Sequence, residues 1–359
     1  METIRRRGCC SSMLHCVSGR SAREGARAGW ATLGVALLGL FCGDASASRA
    51  QGGQPLRLVQ SIALPGVEGR IDHLIADSQG QRLFVAALGN GSVEVIDLRS
   101  GRRVRSLRGF REPQGLGFAA PPARLFVSNG GDGACDMLDG ATFRHLRTLR
   151  FSEDADNVRY DAAANRMYVG YGSGALGIID ARTGDSLGSI RLPAHPESFL
   201  LERDGSRIFV NVPGVGQVAV ADRANGRVTT VWKVAPYRAN YPMALDDAGH
   251  RLFVGCRDPA RVVVLDTSSG RHLAAVRSDG DPDDMFYDPA LGRLYVACGV
   301  GFVDVLDVAE SGGFRMIARV PTAPGARTAL FIAELQRLFV AVPHRASQEA
   351  EVRVFAVAR

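Results

Sequence analysis

Arg82-Leu83-Phe84-Val85 is a phrase that the chain keeps repeating. It returns at Arg124 to Val127, as Arg-Met-Tyr-Val from Arg166, as Arg-Ile-Phe-Val from Arg207, unchanged from Arg251, as Arg-Leu-Tyr-Val from Arg293, and last from Arg337. The intervals are 42, 42, 41, 44, 42 and 44 residues. Fourteen or fifteen residues after each of the first six anchors, an apolar run closes on Asp: Asp97, Asp139, Asp180, Asp222, Asp266 and Asp307. The seventh copy, Val352-Arg353-Val354-Phe355, lacks the Asp.

Each unit reads as four strands: a short lead-in such as His73 to Ala76, the anchor, the run ending in Asp, and a fourth strand such as Val104 to Leu107. The anchors are apolar on consecutive residues, so both faces of each sheet must be covered. Four-stranded units with a period of about 40 to 45 residues define a β-propeller, in which sheets ring a central channel. Seven anchors predict seven blades. The seventh unit stops after its third strand, and an orphan strand, Leu56 to Leu64, precedes the first. The expected architecture is an all-β, seven-bladed propeller over 51–359, with that strand completing the last blade and leaving no open edge.

From about Leu56 onward the chain resembles the bacterial YVTN-type (YncE-like) propellers, relatives in architecture of WD40 repeats. Their repeats carry an aromatic-Val core and an apolar run ending in Asp. No copy here spells Tyr-Val-Thr-Asn, and the nearest is Phe126-Val127-Ser128-Asn129. The resemblance implies an exported propeller and no particular activity, because the motif builds the blade and not a site.

Residues 1–50 read as a leader. A basic stretch precedes the apolar run Trp30 to Cys42, and small residues follow, the pattern of a signal peptide cleaved near Ala47 or Ala50. The run has 13 residues, against about 20 for a membrane span. A periplasmic or secreted chain with no membrane span after cleavage is expected, starting at Met1 or Met13. The formal charge of +6 divides into +4 for residues 1–50 and +2 for the rest. A body so nearly neutral gives no footprint for nucleic acid. With 46% hydrophobic and 22% charged residues, disordered and polytopic membrane classes are excluded. Four of the seven Cys lie in the leader; of Cys135, Cys256 and Cys298, only Cys256 with Cys298 merits examination as a disulfide, and none is expected.

The repeated Asp residues open turns that Gly closes, as in Asp97-Leu-Arg-Ser-Gly101, and are assigned to turn capping. The anchor arginines are assigned to local packing or pairing. Gly170-Tyr-Gly-Ser-Gly174 runs from strand to strand with no helix to hold a phosphate. Asp279 to Asp283 is no EF-hand loop, since Asp284 replaces the required Gly.

Sites should appear where equivalent positions stop repeating. Ten residues before the anchors stand Asp72, Gln114, Asp156, Glu197, Tyr241, Asp283 and Arg327, all polar, at one mouth of the channel. One position later come His73, Asn157 and Asp284; slightly upstream lie Asp154, His195 and Arg238; and the longer seventh-blade loop adds His344. The mouth is expected to be acid-rich, with one or two cations opposite. Like charges there call for a bound cation, a cationic ligand or raised carboxyl pKa values, unless the channel is wide and the carboxylates are screened. His73 beside Asp72 and His195 near Glu197 have acid–base potential.

Three functions remain open. The first is a monomeric binding propeller that takes a small ligand or protein partner, favoured by the absence of any nucleophile motif or haem sequence. The second is a hydrolase or lactonase using a divalent cation at the axis, by analogy of fold alone. The third is an accessory to a periplasmic redox enzyme. No catalytic or metal-ligating residue is assigned.

Overall fold

A computed structural model of the chain describes residues 53–77, 79–308 and 313–358. The leader, with its apolar run and the Ala47 and Ala50 cleavage positions, lies outside the described residues. Seven four-stranded antiparallel sheets follow in chain order, each running from an innermost to an outermost strand. Blade 1, for example, comprises Leu74–Asp77, Arg82–Ala87, Ser92–Asp97 and Arg102–Arg108. The innermost strand of each blade touches that of the next, round through Ala329–Ile332 of blade 7 and back to Leu74–Asp77. The fold is a seven-bladed β-propeller. Among the described residues no helix is long and apolar enough to cross a membrane.

The consecutive apolar residues of the anchors do what double-faced burial requires. Leu83, Val85 and Ala87 pack into the layer between blades 7 and 1, while Phe84 and Ala86 enter the layer between blades 1 and 2. Anchor arginines pair locally: Arg251 Nη2 lies 2.6 Å from Asp246 Oδ2, and Arg82 Nε donates to Asp77 Oδ2 at 3.1 Å. Asp97, Asp139, Asp180, Asp222 and Asp266 cap the turns after the third strands, Asp180 Oδ1 accepting from the backbone N–H groups of Arg182 and Thr183 at 2.9 and 2.8 Å. Those bonds hold the Asp180 carboxyl below its usual range. Cys135, Cys256 and Cys298 are buried free thiols in three separate layers.

Leu56–Ala63 pairs with Glu351–Val357 and so forms the fourth strand of blade 7. Its register slips by one residue between Leu58 and Gln60. Residues 56 and 62 would share a face in an even strand; the extra residue, Val59, reverses the parity. Leu56 therefore packs into the layer between blades 6 and 7, and Ile62 into that between blades 7 and 1. Every other outermost strand carries the same one-residue slip, for instance opposite Val95/Ile96 and Ile178/Ile179. Bulges and flanking arginines twist and charge these edges, which discourages pairing with another sheet.

Candidate functional site

The innermost strands explain how the ring of polar side chains is built. In blades 2, 3, 5 and 6 the ladder to the anchor strand slips at the mouth: between Pro113 and Leu116, Ala155 and Val158, Asn240 and Met243, and Pro282 and Asp284. The slips fall on Gln114, Asp156, Tyr241 and Asp283. A bulge re-aims side chains, and here it frees two successive residues from strict alternation. In blades 1, 4 and 7 the ladder begins just after Asp72, Glu197 and Arg327.

The turn before each strand supplies an upper tier. Glu112, Asp154, Ala239 and Asp281 hold equivalent positions with φ of 54°, 39°, 54° and 57°. The turn is pinned from behind, as when Gly299 N–H donates to the Asp281 carbonyl at 2.8 Å. A Cβ on Gly299 would lie 2.1 Å from Asp281 Oδ2, so a side chain there would displace the Asp281 carboxylate.

One half of the mouth, from blades 1, 5, 6 and 7, is charge-paired. Asp283 accepts from Arg257 Nη2 at 2.5 Å and lies 3.0 Å from Arg327 Nε; Asp281 faces the same two arginines at 3.3 and 3.0 Å. Arg257 stacks 3.6 Å from the centroid of the Tyr241 ring. Arg70 meets Asp72 at 2.8 Å, and His73 Nδ1 lies 3.3 Å from Asp284 Oδ2. Burial works against a charged His73, but the adjoining Asp284 and Asp72 carboxylates outweigh it and push the imidazole up to about 10. Burial raises Asp283 to about 6 against the pull of Arg257.

The other half, from blades 2, 3 and 4, is different. Asp156 is 8% exposed, and its carboxylate has no hydrogen-bond or ion-pair partner among the described residues. Burial and the Asp72 charge push it up to about 7. Burial, then Asp156 and Asp283, push Glu197 up to about 9. His195 Nδ1 lies 2.6 Å from the carbonyl oxygen of Gly172, and Nε2 lies 3.7 Å from Asp154 Oδ2. Gln114 Nε2 donates to the other Asp154 oxygen at 2.9 Å. Asn157 is buried beside them, its Oδ1 without a partner. One donor atom from each of Asp156, His195 and Glu197 lies within 4.8 Å of the others.

Contacts cross the blades: Arg70 lies 2.8 Å from Asp72 and 4.0 Å from Asp283, His73 lies 3.3 Å from Asp284, and Asp156 shares a donor group with Glu197. Two expected residues stand apart. Arg238 is 74% exposed and pairs with Asp258 at 2.7 Å, because it lies beyond the bulge, opposite Asp258 in the ladder. His344 Nδ1 lies 2.8 Å from Glu68 Oε2, a contact between loops of blades 7 and 1.

Acids remain the majority, but the cations outnumber the one or two expected. Arg70, Arg159, Arg257 and Arg327 all reach the cluster. Sequence reading missed Arg70, Arg159 and Arg257, although the last two interrupt the repeat. Arg159 stands where the other blades have Ile75, Gly117, Leu200, Ala244, Phe286 and Leu330. Burial lowers its pKa, opposed by Asp284 and Asp156. Arg257 stands where the others have Leu88, Gly130, Gly172, Pro213, Gly299 and Pro343.

Solved structures share the architecture. A chain of Kuenenia stuttgartiensis hydrazine synthase superposes with a TM-score of 0.72 at 18% identity, over 82% of this chain and 99% of its own. The WD40 repeats of RRP9 give 0.72 at 12% identity, covering 84% and 100%. A chain of the mitotic checkpoint complex gives 0.71 at 15%, covering 91% and 100%. At these identities the likeness is one of fold, a WD40-like propeller. No family model and no curated protein matches the sequence.

Proposed function

We propose that this chain is an exported, monomeric binding propeller of the YVTN type, which takes a small cationic ligand at the blade 2–4 side of its channel mouth. The carrying observation is the unpaired, buried Asp156 beside Glu197, in a mouth where Asp72, Asp283 and Asp284 each have a basic partner. A buried carboxylate without a partner costs several kcal/mol, and a bound positive charge offsets that cost. Supporting export are the leader's apolar run and the repeated aromatic-Val core of the resemblance. Concave, preformed sites with a few convergent polar groups are where propellers and other folds hold small ligands.

A thermal-shift panel of small amines, including choline and putrescine, and of divalent chlorides tests the reading. A stabiliser whose effect disappears in Asp156→Asn supports it. A panel without any stabiliser, or a stabiliser equally effective on the Asp72→Ala, Asp156→Ala and Asp283→Ala variants, overturns it.

A further inference from the structure

We infer that Asp156, His195 and Glu197 hold one divalent transition-metal cation. The inference rests on the reading of blades 2–4 as the ligand side and names the class of cation. Three donors within 4.8 Å of one another stand at most about 1.4 Å wider than the ~3.4 Å edge of a tetrahedron built on ~2.1 Å bonds. Small side-chain rotations close that gap, since the Glu197 carboxylate has no hydrogen bond or ion pair to break among the described residues, its backbone N–H alone being held, by the Asn211 carbonyl at 3.0 Å.

The histidine is preset for the task. A carbonyl oxygen only accepts, so the 2.6 Å contact with Gly172 places the proton on His195 Nδ1. In the neutral ring Nε2 then carries the lone pair, on the side facing Asp154. A backbone carbonyl holding the far N–H is the usual support of a metal-bound imidazole. Gly172 is itself fixed, because its N–H donates to the carbonyls of Glu153 and Asp154 at 2.9 and 3.2 Å.

The second, independent observation is Asp156: more than nine-tenths buried, unpartnered, with an oxygen among the three donors. Gln114 fixes one oxygen of Asp154, and the other lies 3.7 Å from His195 Nε2, outside the three-donor group itself. One imidazole nitrogen with two carboxylate oxygens suits Mn2+, Co2+ or Zn2+, whereas Ca2+ and Mg2+ favour oxygen alone.

Cobalt(II) chloride is the probe, added to the full chain after chelator treatment and dialysis. The expected result is one ion per chain by calorimetry, with a hyperfine-shifted proton resonance in H2O that vanishes in D2O, from His195 Nδ1–H. His195→Ala should abolish that resonance, and His195→Ala, Asp156→Asn and Glu197→Gln should each weaken binding about tenfold or more. His272→Ala, an exposed histidine bonded to the Lys233 carbonyl, should change neither readout. Thermal melts establish that each variant folds. One-to-one cobalt binding unaffected by all three site variants overturns the assignment. No cobalt binding, with amine stabilisation that still depends on Asp156, overturns the metal and leaves the binding reading standing. If neither probe depends on Asp156, both fail.

Discussion

Replacing Leu56 or Ile62 by Ala tests whether the strand before the first unit closes the ring. Leu56 is 0% and Ile62 3% exposed, and they pack into different layers on opposite sides of blade 7. Each truncation removes about 2–5 kcal/mol, the range for a fully buried aliphatic side chain. Six residues of strand separate them by roughly 20 Å, so the two losses should add. Together they come to about 4–10 kcal/mol, comparable with the whole stability of a domain at about 5–15 kcal/mol. The same strand supplies its own controls. Leu58 is 49% and Val59 40% exposed, and their replacement by Ala should change stability by no more than about 0.5 kcal/mol. Urea unfolding followed by intrinsic fluorescence reads all four variants and the double variant. Equal, small losses at positions 56, 58, 59 and 62 would refute both the closure and the parity reversal at Val59.

Three further outcomes are expected. Burial pushes the Asp304 carboxyl from 3.8 up to about 6, so the folded chain holds that proton more tightly than the unfolded one. Stability then falls as pH rises through about 4 to 6, by about 3 kcal/mol, and levels off above. Asp304→Asn keeps an acceptor for the Asp279 N–H, 2.7 Å from Oδ2, and should remove that slope; urea midpoints at pH 4.5 and 7.5 that shift in parallel with wild type would contradict it. Gly115→Ala places a Cβ 2.2 Å from the Asp156 carbonyl oxygen and 2.7 Å from Ser128 Oγ, at the seam of blades 2 and 3. The loss should be about 1–3 kcal/mol, and a melting temperature equal to wild type would show the seam to be looser than described. By NMR the His73 ring should remain charged through neutral pH and titrate near 10; Asp284→Asn should bring the midpoint down, because burial then meets less opposing charge. A wild-type midpoint near 6.5 would refute the pairing.

The fold was legible because a propeller repeats its physics seven times: each anchor solves the same two-faced burial problem, so each blade restates the answer of Phe84 and Val85. The site was legible only in part, for a related reason. Listing the residue ten before each anchor finds Asp72, Asp156, Glu197 and Asp283, but that choice assumes that the interrupting position is already polar in every blade. Arg159 and Arg257 break columns that are otherwise apolar or small, so a search confined to polar columns passes over them. Without Arg257, half the mouth reads as acidic and not as charge-paired, since this arginine contacts Asp281, Asp283 and Tyr241 together. The pairing of Arg257 with Asp283 also rests on the bulge between Pro282 and Asp284, a one-residue slip for which residue identities give no signal. The charge carried by a repeat is therefore read from the single blade that departs from the others. On that criterion blade 3 is marked by Arg159, and blade 5 by Arg257, the cation that neutralises Asp283 of its neighbour.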